Sequence, residues 1–492
     1  MSDPNNTNQW KTLDKDLGRI NQVEVATQYI SRPLLGLGLS LVFIVLAGLA
    51  SMLFFGQQPT SFVVIAAAVF GAYMALNIGA NDVANNMGPA VGAKALTMGG
   101  AIAIAAVCES AGALLAGGDV VSTISKGIID PASVEDSRIF IWAMMAALVS
   151  AAIWVNLATY IGAPVSTTHS VVGGVMGAGI AAAGLSAVNW PTMGAIAASW
   201  VISPVLGGVI AAAFLAFIKA KIIYVDDKIA AARRWVPVLI GIMAAAFAAY
   251  LAMKGLKKII KIDILTALGI GAVAGLVFYA ISAPLIRRQS EGLENRNKSL
   301  KVLFSLPLVL SAGLLSFAHG ANDVANAVGP LAAIVHAAEF GASAGKVTIP
   351  LWVMVIGALG ISFGLFLFGP KLIRMVGSQI TKLNPMRAYC VALSAAITVI
   401  VASWLGLPVS STHIAVGAVF GVGFFREWHA DRRARNSNRQ KMAKPVAVEE
   451  RRRRKLVRRS HFMTIVAAWV ITVPASACLS AVAFFVLNAI GS

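Results

Sequence analysis

Long uncharged stretches recur along this 492-residue chain and limit its fold more than any other feature of the sequence. Residues 34–55, 139–161 and 462–487 are three of them. Each is long enough for a helix that crosses a bilayer, which needs about 20 apolar residues. Charged residues make up only 12% of the chain, against about 25% in soluble domains. The sequence therefore predicts an all-α, polytopic membrane protein with roughly 10 to 13 membrane segments.

The N-terminal region is predicted to be an addition to the membrane core. Residues 1–33 are polar and form a tail, and residues 34–60 hold an apolar stretch that is too long for the core of a signal peptide. We therefore expect an uncleaved extra span at this end. The three cysteines stand singly in apolar surroundings, without the spacing of a metal site or of a disulfide framework.

Two polar motifs each occur twice in the chain. GANDVAN stands at residues 79–85 and again at 320–326, and GAPVSTTH at 162–169 is matched by GLPVSSTH at 406–413. The second motif begins 83 residues after the first in one half and 86 residues after it in the other. Such spacing indicates an internal duplication.

The duplication divides the chain into a first repeat at 61–218, a linker with two spans at 219–301 and a second repeat at 302–492. Residues 426–459 of the second repeat form a loop with 14 basic and four acidic side chains, a net charge of +10. Basic loops stay cytoplasmic, and the equivalent place in the first repeat is short and uncharged. Equivalent points on opposite sides of the membrane predict an inverted repeat, as in many secondary transporters.

The charged loops leave some questions open. The basic loop is best explained as a topology signal, ahead of contact with anionic lipid, and no nucleic-acid partner is expected. The short basic stretch at 254–263 conflicts with the remaining topology, so its side of the membrane is undecided.

The repeated motifs are expected to break helices inside the membrane. Gly79 and Gly320 can release a helix, and the Asn and Asp residues that follow are good N-caps for a new one. Pro164 and Pro408 precede the hydroxyl-rich triplets and predict two hairpin tips. Four helix starts that converge would offer N–H groups, hydroxyls and positive dipole ends, which suit an anion.

An Asp in each GANDVAN motif then needs a role beside an anion. The carboxylate can bind a coupling cation, or it can accept hydrogen bonds from a substrate that carries its own protons, such as monobasic phosphate. Glu109 is a further acid within an apolar stretch and is a candidate for coupling or for a structural pair. His169 and His413 are interpreted as packed, neutral residues, and His319 is left out because its counterpart is Ile78.

With these motifs the chain resembles the inorganic phosphate transporter (PiT) family, including the bacterial low-affinity Pit permeases, from about residue 60 onward. The resemblance implies a carrier that imports orthophosphate across a bacterial cytoplasmic membrane together with Na⁺ or H⁺, on an inverted-repeat core with two hairpins. The residues that it implies for phosphate are Asp82, Asp323, Ser166, Thr167, Thr168, Ser410, Ser411 and Thr412. Those that it implies for the coupling cation, including a sodium ion, are Asn81, Asn85, Asn322, Asn326, Asp82, Asp323 and Glu109.

The resemblance favours protons over sodium as the coupling ion. A second acid of some sodium-coupled relatives is replaced here by Ala392, and bacterial relatives are commonly proton-coupled and can carry a neutral complex of phosphate with a divalent metal. No resident cofactor is expected, and a homodimer is left open. The alternatives are a sodium-coupled carrier, a carrier of another oxyanion such as sulfate, and an anion channel. An enzyme is not expected, because no nucleophile–base pair or cofactor motif stands in the sequence.

Overall fold

The computed structural model describes residues 35–55, 61–134, 136–161, 165–255, 262–341, 347, 349–379, 383–440 and 459–491. The predicted tail at 1–33, residues 256–261 of the short basic stretch and residues 441–458 of the basic loop lie outside this part of the chain. The described residues form helices and one isolated β-bridge, between Ile129 and Val188. The prediction of an all-α protein is confirmed.

The helices are distributed along the whole described chain. In order they are α1 (Leu35–Phe55), α2 (Ser61–Asn81), α3 (Val83–Gly92), α4 (Met98–Ala116), α5 (Gly118–Ser122), α6 (Ser137–Ile161), α7 (Thr167–Ala183), α8 (Trp190–Ile218), α9 (Lys228–Lys254), α10 (Ile264–Gln289), α11 (Asn297–Leu303), α12 (Ser305–Asp323), α13 (Ala325–Phe340), α14 (Leu351–Gln379), α15 (Pro385–Trp404), α16 (Ser411–Gln440) and α17 (Arg459–Gly491).

Ten of the described helical segments are long and apolar enough to cross a membrane, and the bent run from α11 to α13 brings the number to as many as eleven. Helix α1 lies at the edge of the bundle, where Phe43 and Phe54 stack on Phe363 and Trp352 of α14. Helices α9 and α10, which fall in the predicted linker, pack mainly against each other.

Two helix crossings made through backbone contact show the internal symmetry. At one, a Cβ added to Gly79 of α2 would lie 1.9 Å from the carbonyl oxygen of Ile361 in α14. At the other, a Cβ added to Gly320 of α12 would lie 2.1 Å from the carbonyl oxygen of Glu109 in α4. Because Gly79 and Gly320 are repeat partners, Ile361 is the structural counterpart of Glu109.

A second pair of glycines gives the same correspondence. A Cβ on Gly112 of α4 would lie 2.0 Å from the carbonyl oxygen of Phe317, and one on Gly364 of α14 would lie 2.1 Å from that of Leu76. The sequence ESAG at 109–112 thus pairs with ISFG at 361–364. The glycines serve close approach of two helix backbones, which any larger residue would prevent.

Gly320→Ala is expected to lower the free energy of unfolding by about 1–3 kcal/mol, because the new methyl group forces α12 and α4 apart. Thermal unfolding of the purified protein in detergent would measure the effect. Gly99→Ala on α4 is a matched control, since a Cβ there meets nothing within 4 Å. A Gly320→Ala protein as stable as the Gly99→Ala protein would contradict the close crossing.

The GANDVAN motifs disturb their helices for one residue only. Asp82, between α2 and α3, keeps helical dihedral angles (φ −83°, ψ −33°) and its side chain makes no capping hydrogen bond. Val324, between α12 and α13, is also helical (φ −55°, ψ −31°). The prediction that Gly79 and Gly320 release the helix and that Asn and Asp cap a new one is therefore wrong. The glycines are needed for the crossings, and the Asp carboxylates are bonded elsewhere.

The hydroxyl-rich motifs, in contrast, do begin helices. The Ser166 hydroxyl accepts a hydrogen bond from the His169 backbone N–H at 3.2 Å and caps α7. The Ser410 hydroxyl accepts one from the His413 backbone N–H at 3.3 Å at the start of α16. Two of the four expected helix starts are thus present, and both lie beside the Asp residues of the GANDVAN motifs.

Candidate functional site

The carboxylate of Asp82 lies between the N-terminal ends of α7 and α16, which we call the tips; residues 162–164 before the first of them lie outside the described residues. Its Oδ2 accepts a hydrogen bond from the Thr167 hydroxyl at 2.7 Å, and its Oδ1 accepts one from the Thr412 hydroxyl at 3.2 Å. All three residues are buried. Asp82, the residue between α2 and α3, therefore has both carboxylate oxygens hydrogen-bonded by hydroxyl groups from α7 and α16.

The second repeat makes one of the two corresponding contacts. The Ser411 hydroxyl donates to Oδ2 of Asp323 at 3.0 Å. The amides of the last motif position cross over between repeats: Asn85 donates to the Thr412 hydroxyl at 2.9 Å, and Asn326 donates to the Thr168 hydroxyl at 3.1 Å. The two Asp residues, two Asn residues and four tip hydroxyls thus form one cluster at the interface of the repeats, which we call the hydroxyl–carboxylate cluster. Its members are Asp82, Asn85, Asp323, Asn326, Thr167, Thr168, Ser411 and Thr412.

Asn81 and Asn322 brace the neighbouring helices. The Asn81 amide donates to the Thr159 hydroxyl of α6 at 2.8 Å, and the Asn322 amide donates to the Ser403 hydroxyl of α15 at 3.0 Å. The Asn322 side-chain oxygen also accepts from the Val409 N–H at 3.2 Å. Their role as cation ligands remains a prediction, and so does phosphate contact by Ser166 and Ser410, whose hydroxyls cap α7 and α16.

The backbone of the second hairpin tip is held by side chains from several helices. Carbonyl oxygens between residues 404 and 409 accept hydrogen bonds from donors in both repeats and in the linker. The donor and acceptor pairs are Lys254 to Trp404, Thr123 to Gly406, Asn322 to Leu407, Trp200 to Pro408, and Thr168 to Val409. These bonds fix the position of the tip and hence of the hydroxyl groups that follow it.

A chain of buried ionisable groups joins the hydroxyl–carboxylate cluster at one side. Nε2 of His319 lies 2.8 Å from Oδ2 of Asp323, and Nδ1 of His319 lies 2.5 Å from Oε2 of Glu109. The Asn86 amide donates to Oε1 of Glu109 at 3.0 Å. Each ring nitrogen therefore faces a carboxylate oxygen, and His319 connects Glu109 to the centre of the site.

Two acceptor oxygens in the cluster are buried and have no hydrogen-bond partner. They are Oδ1 of Asp323 and Oδ1 of Asn326, on residues that are each 1% exposed. A buried acceptor without a donor is unfavourable by about 1–3 kcal/mol. Such atoms point to a ligand that brings hydrogen-bond donors or positive charge. Ligand atoms of Asp82, His319 and Asp323 also lie within 4.8 Å of one another, close enough to surround a cation.

Comparison with known proteins assigns the chain to a family. The sequence model described as the phosphate transporter family matches residues 78–480. The chain belongs to the phosphate transporter family. It is a family of transporters and not of enzymes, as predicted.

The similarity extends over most of the chain. The chain is 45% identical to a Helicobacter pylori protein named "Putative phosphate permease", over 96% of this chain and 99% of that protein. It is 36% identical to the chloroplastic inorganic phosphate transporter 2-1 of Arabidopsis thaliana, over 85% of this chain and 71% of that protein. A solved structure titled "The sodium-dependent phosphate transporter" is 35% identical, with a TM-score of 0.78 over 87% of this chain and all of that one.

Within this transporter, the structure brings together predicted residues from both repeats and adds two that were missed. His319 and Asn86 were not predicted, because the predicted residues were those that occur in both repeats, and these two occur in only one. Their repeat counterparts are Ile78 and Ala327. The signal that could have found them is a polar residue in one repeat opposite an apolar residue in the other, beside a motif that is otherwise identical.

Proposed function

We propose that this member of the phosphate transporter family imports inorganic phosphate across the cytoplasmic membrane by symport with a cation, and that the cation is a proton rather than sodium. The observation that carries the proposal is the mixed character of the hydroxyl–carboxylate cluster. It offers hydroxyls at the N-termini of α7 and α16 and, next to them, the unpartnered acceptors on Asp323 and Asn326.

Phosphate suits this mixture because it is both an acceptor and a donor of hydrogen bonds. Its unprotonated oxygens can accept from tip hydroxyls and from the N-terminal N–H groups of α7 and α16, where the helix dipoles favour negative charge. Its P–OH groups can donate to the Asp carboxylates. Sulfate has no hydrogen to donate at neutral pH, so it would leave Oδ1 of Asp323 without a partner.

The chain from Glu109 through His319 to Asp323 supports coupling to protons. Buried chains of acids and histidine inside membranes are typical of proton relays in pumps and transporters. Here the chain ends at a carboxylate of the proposed phosphate site, so a proton on it can change the charge that phosphate meets. A protonated carboxylate no longer repels the anion, which lowers the cost of holding phosphate in the low-dielectric core.

Sodium is the second candidate. The solved relative is titled a sodium-dependent phosphate transporter, and the oxygens of Asp82, Asp323 and Asn326 are hard ligands of the type that small cations prefer. A divalent metal carried as its phosphate complex would meet the same oxygens. No resident cofactor is proposed on either scheme.

Uptake of radiolabelled phosphate into proteoliposomes distinguishes these schemes. With an inward proton gradient and no sodium, we expect accumulation above the equilibrium level, and an inward sodium gradient at equal pH should add little. Accumulation driven by a sodium gradient alone would show that the coupling ion is sodium and not a proton. If neither gradient drives accumulation, the symport proposal fails, and a conductance without coupling would favour the anion channel.

A further inference from the structure

The two backbone crossings, which are equivalent by the internal repeat, have opposite chemistry. The crossing of α4 and α12 is lined by three buried polar residues: Asn86, Glu109 and His319. Their repeat counterparts are three buried apolar residues, Ala327, Ile361 and Ile78, of which Ile361 lies against Gly79 at the crossing of α2 and α14. In the polar crossing the imidazole of His319 contacts the carboxylate of Asp323. The corresponding residue in the apolar crossing, Ile78, has no polar side-chain atom that could contact Asp82 in this way. The repeats therefore share a site but surround its two carboxylates differently.

This difference reaches the carboxylate oxygens. Both oxygens of Asp82 accept hydrogen bonds from tip hydroxyls, those of Thr167 and Thr412. In Asp323, one oxygen, Oδ2, accepts a hydrogen bond from the Ser411 hydroxyl at 3.0 Å and forms an ion-pair contact of 2.8 Å with Nε2 of His319, a nitrogen that makes no hydrogen bond of its own. The other oxygen, Oδ1, is buried and has no partner. Asp323 is thus the carboxylate with an acceptor held ready for a ligand.

We propose that His319 is a specificity-determining positioning residue, which fixes Asp323 so that Oδ1 accepts the hydrogen of a protonated oxyanion. The proposal rests on the proposed function in phosphate transport and assigns the P–OH of phosphate to one carboxylate of the two. An oxyanion without a hydrogen, such as sulfate, would place its own lone pairs against those of Oδ1. Discrimination then comes from one oriented acceptor.

Glu109 and Asn86 support the orientation of the imidazole. Glu109 uses Oε2 for Nδ1 of His319 and Oε1 for the Asn86 amide, so both of its oxygens are engaged. A ring held through one nitrogen presents the other in a defined direction. Removing only one member would leave a buried charge or amide unpaired, and a clean test must replace the three together.

The chain supplies the design for that replacement. The triple variant N86A/E109I/H319I copies into the polar crossing the residues that pack the apolar one, so its side chains have precedent at the same backbone geometry. In proteoliposomes, we expect the KM for phosphate to rise about tenfold. The reason is that Oδ1 of Asp323 is no longer oriented, so its charged hydrogen bond with the P–OH group is lost. Inhibition by sulfate should change little, so the ratio of the sulfate Ki to the phosphate KM should fall about tenfold. Because the variant also removes the chain proposed for proton coupling, both constants are measured in phosphate exchange at equal pH on the two sides of the membrane, which needs no proton gradient.

Two further variants separate positioning from packing. I78V/I361V alters the apolar crossing at the same depth and should keep the wild-type ratio. His319→Gln retains an amide donor toward Asp323 and should keep the ratio within about threefold, although it weakens the contact with Glu109. An unchanged ratio in the triple variant, with both constants shifted together, would overturn the proposal, and so would a His319→Gln ratio equal to that of the triple variant. Failure of the wild-type protein to take up phosphate would instead refute the proposed function.

Discussion

Asp323→Asn is expected to lower phosphate uptake at subsaturating phosphate by about 100-fold, and Asp82→Asn to have an effect of the same order. The substitution keeps the shape of the side chain but replaces one carboxylate oxygen with an N–H donor. At Asp82 this donor faces the hydroxyl of Thr167 or of Thr412, and at Asp323 it faces Ser411 and His319 or the ligand. In each variant a buried donor then faces another donor, and at least one hydrogen bond to this side chain is lost.

Initial rates of uptake into proteoliposomes, normalised to reconstituted protein, would measure this effect. Asp227→Asn is the matched control, because Asp227 caps α9 by accepting from the Ala230 N–H, and Asn caps a helix equally well. It should transport like the wild type. If Asp82→Asn and Asp323→Asn both kept full uptake, the site would be wrongly placed even though the family assignment would stand.

His319→Ile alone is expected to destabilise the protein by about 3–5 kcal/mol, because it leaves the carboxylate of Glu109 buried with only the Asn86 amide beside it. The triple variant N86A/E109I/H319I should recover part of this loss, since the unpaired carboxylate of Glu109 is removed, while Asp323 keeps only the Ser411 hydroxyl in both variants. Thermal unfolding in detergent, followed for the wild type and for both variants, would give the comparison.

The order of stabilities is the informative result. A single variant as stable as the triple variant would mean that Glu109 does not depend on His319 for compensation. A triple variant less stable than the single variant would mean that the isoleucine packing of the apolar crossing cannot be transferred. We expect the single variant to be the least stable of the three proteins.

The sequence was sufficient to predict the membrane class and the range of span numbers. The duplicated motifs made Asp82, Asp323 and the tip hydroxyls visible as pairs, and the structure places them in one cluster. It was not sufficient for the geometry of the helix breaks. A glycine before Asn-Asp is compatible with a capped helix start and also with a close helix crossing, and only the position of α14 or α4 decides between them.

Glu109 and His319 illustrate a second limit. Each was judged from its own surroundings in the sequence, and the repeat comparison removed His319 because Ile78 stands opposite. They lie 210 positions apart in the chain, so no local pattern indicates that their side chains meet. Their pairing became visible only when the crossing of α4 and α12 was known.

The unequal crossings also bear on the energetics of the transport cycle. In a carrier built from inverted repeats, exchanging the conformations of the two repeats turns a state that is open to one side into a state that is open to the other. Identical repeats would make these states equal in free energy. With one crossing built from Asn86, Glu109 and His319 and the other from alanine and isoleucine, symmetry no longer enforces that equality. The resting orientation of the empty carrier is then a property that selection can set, residue by residue, at a single crossing.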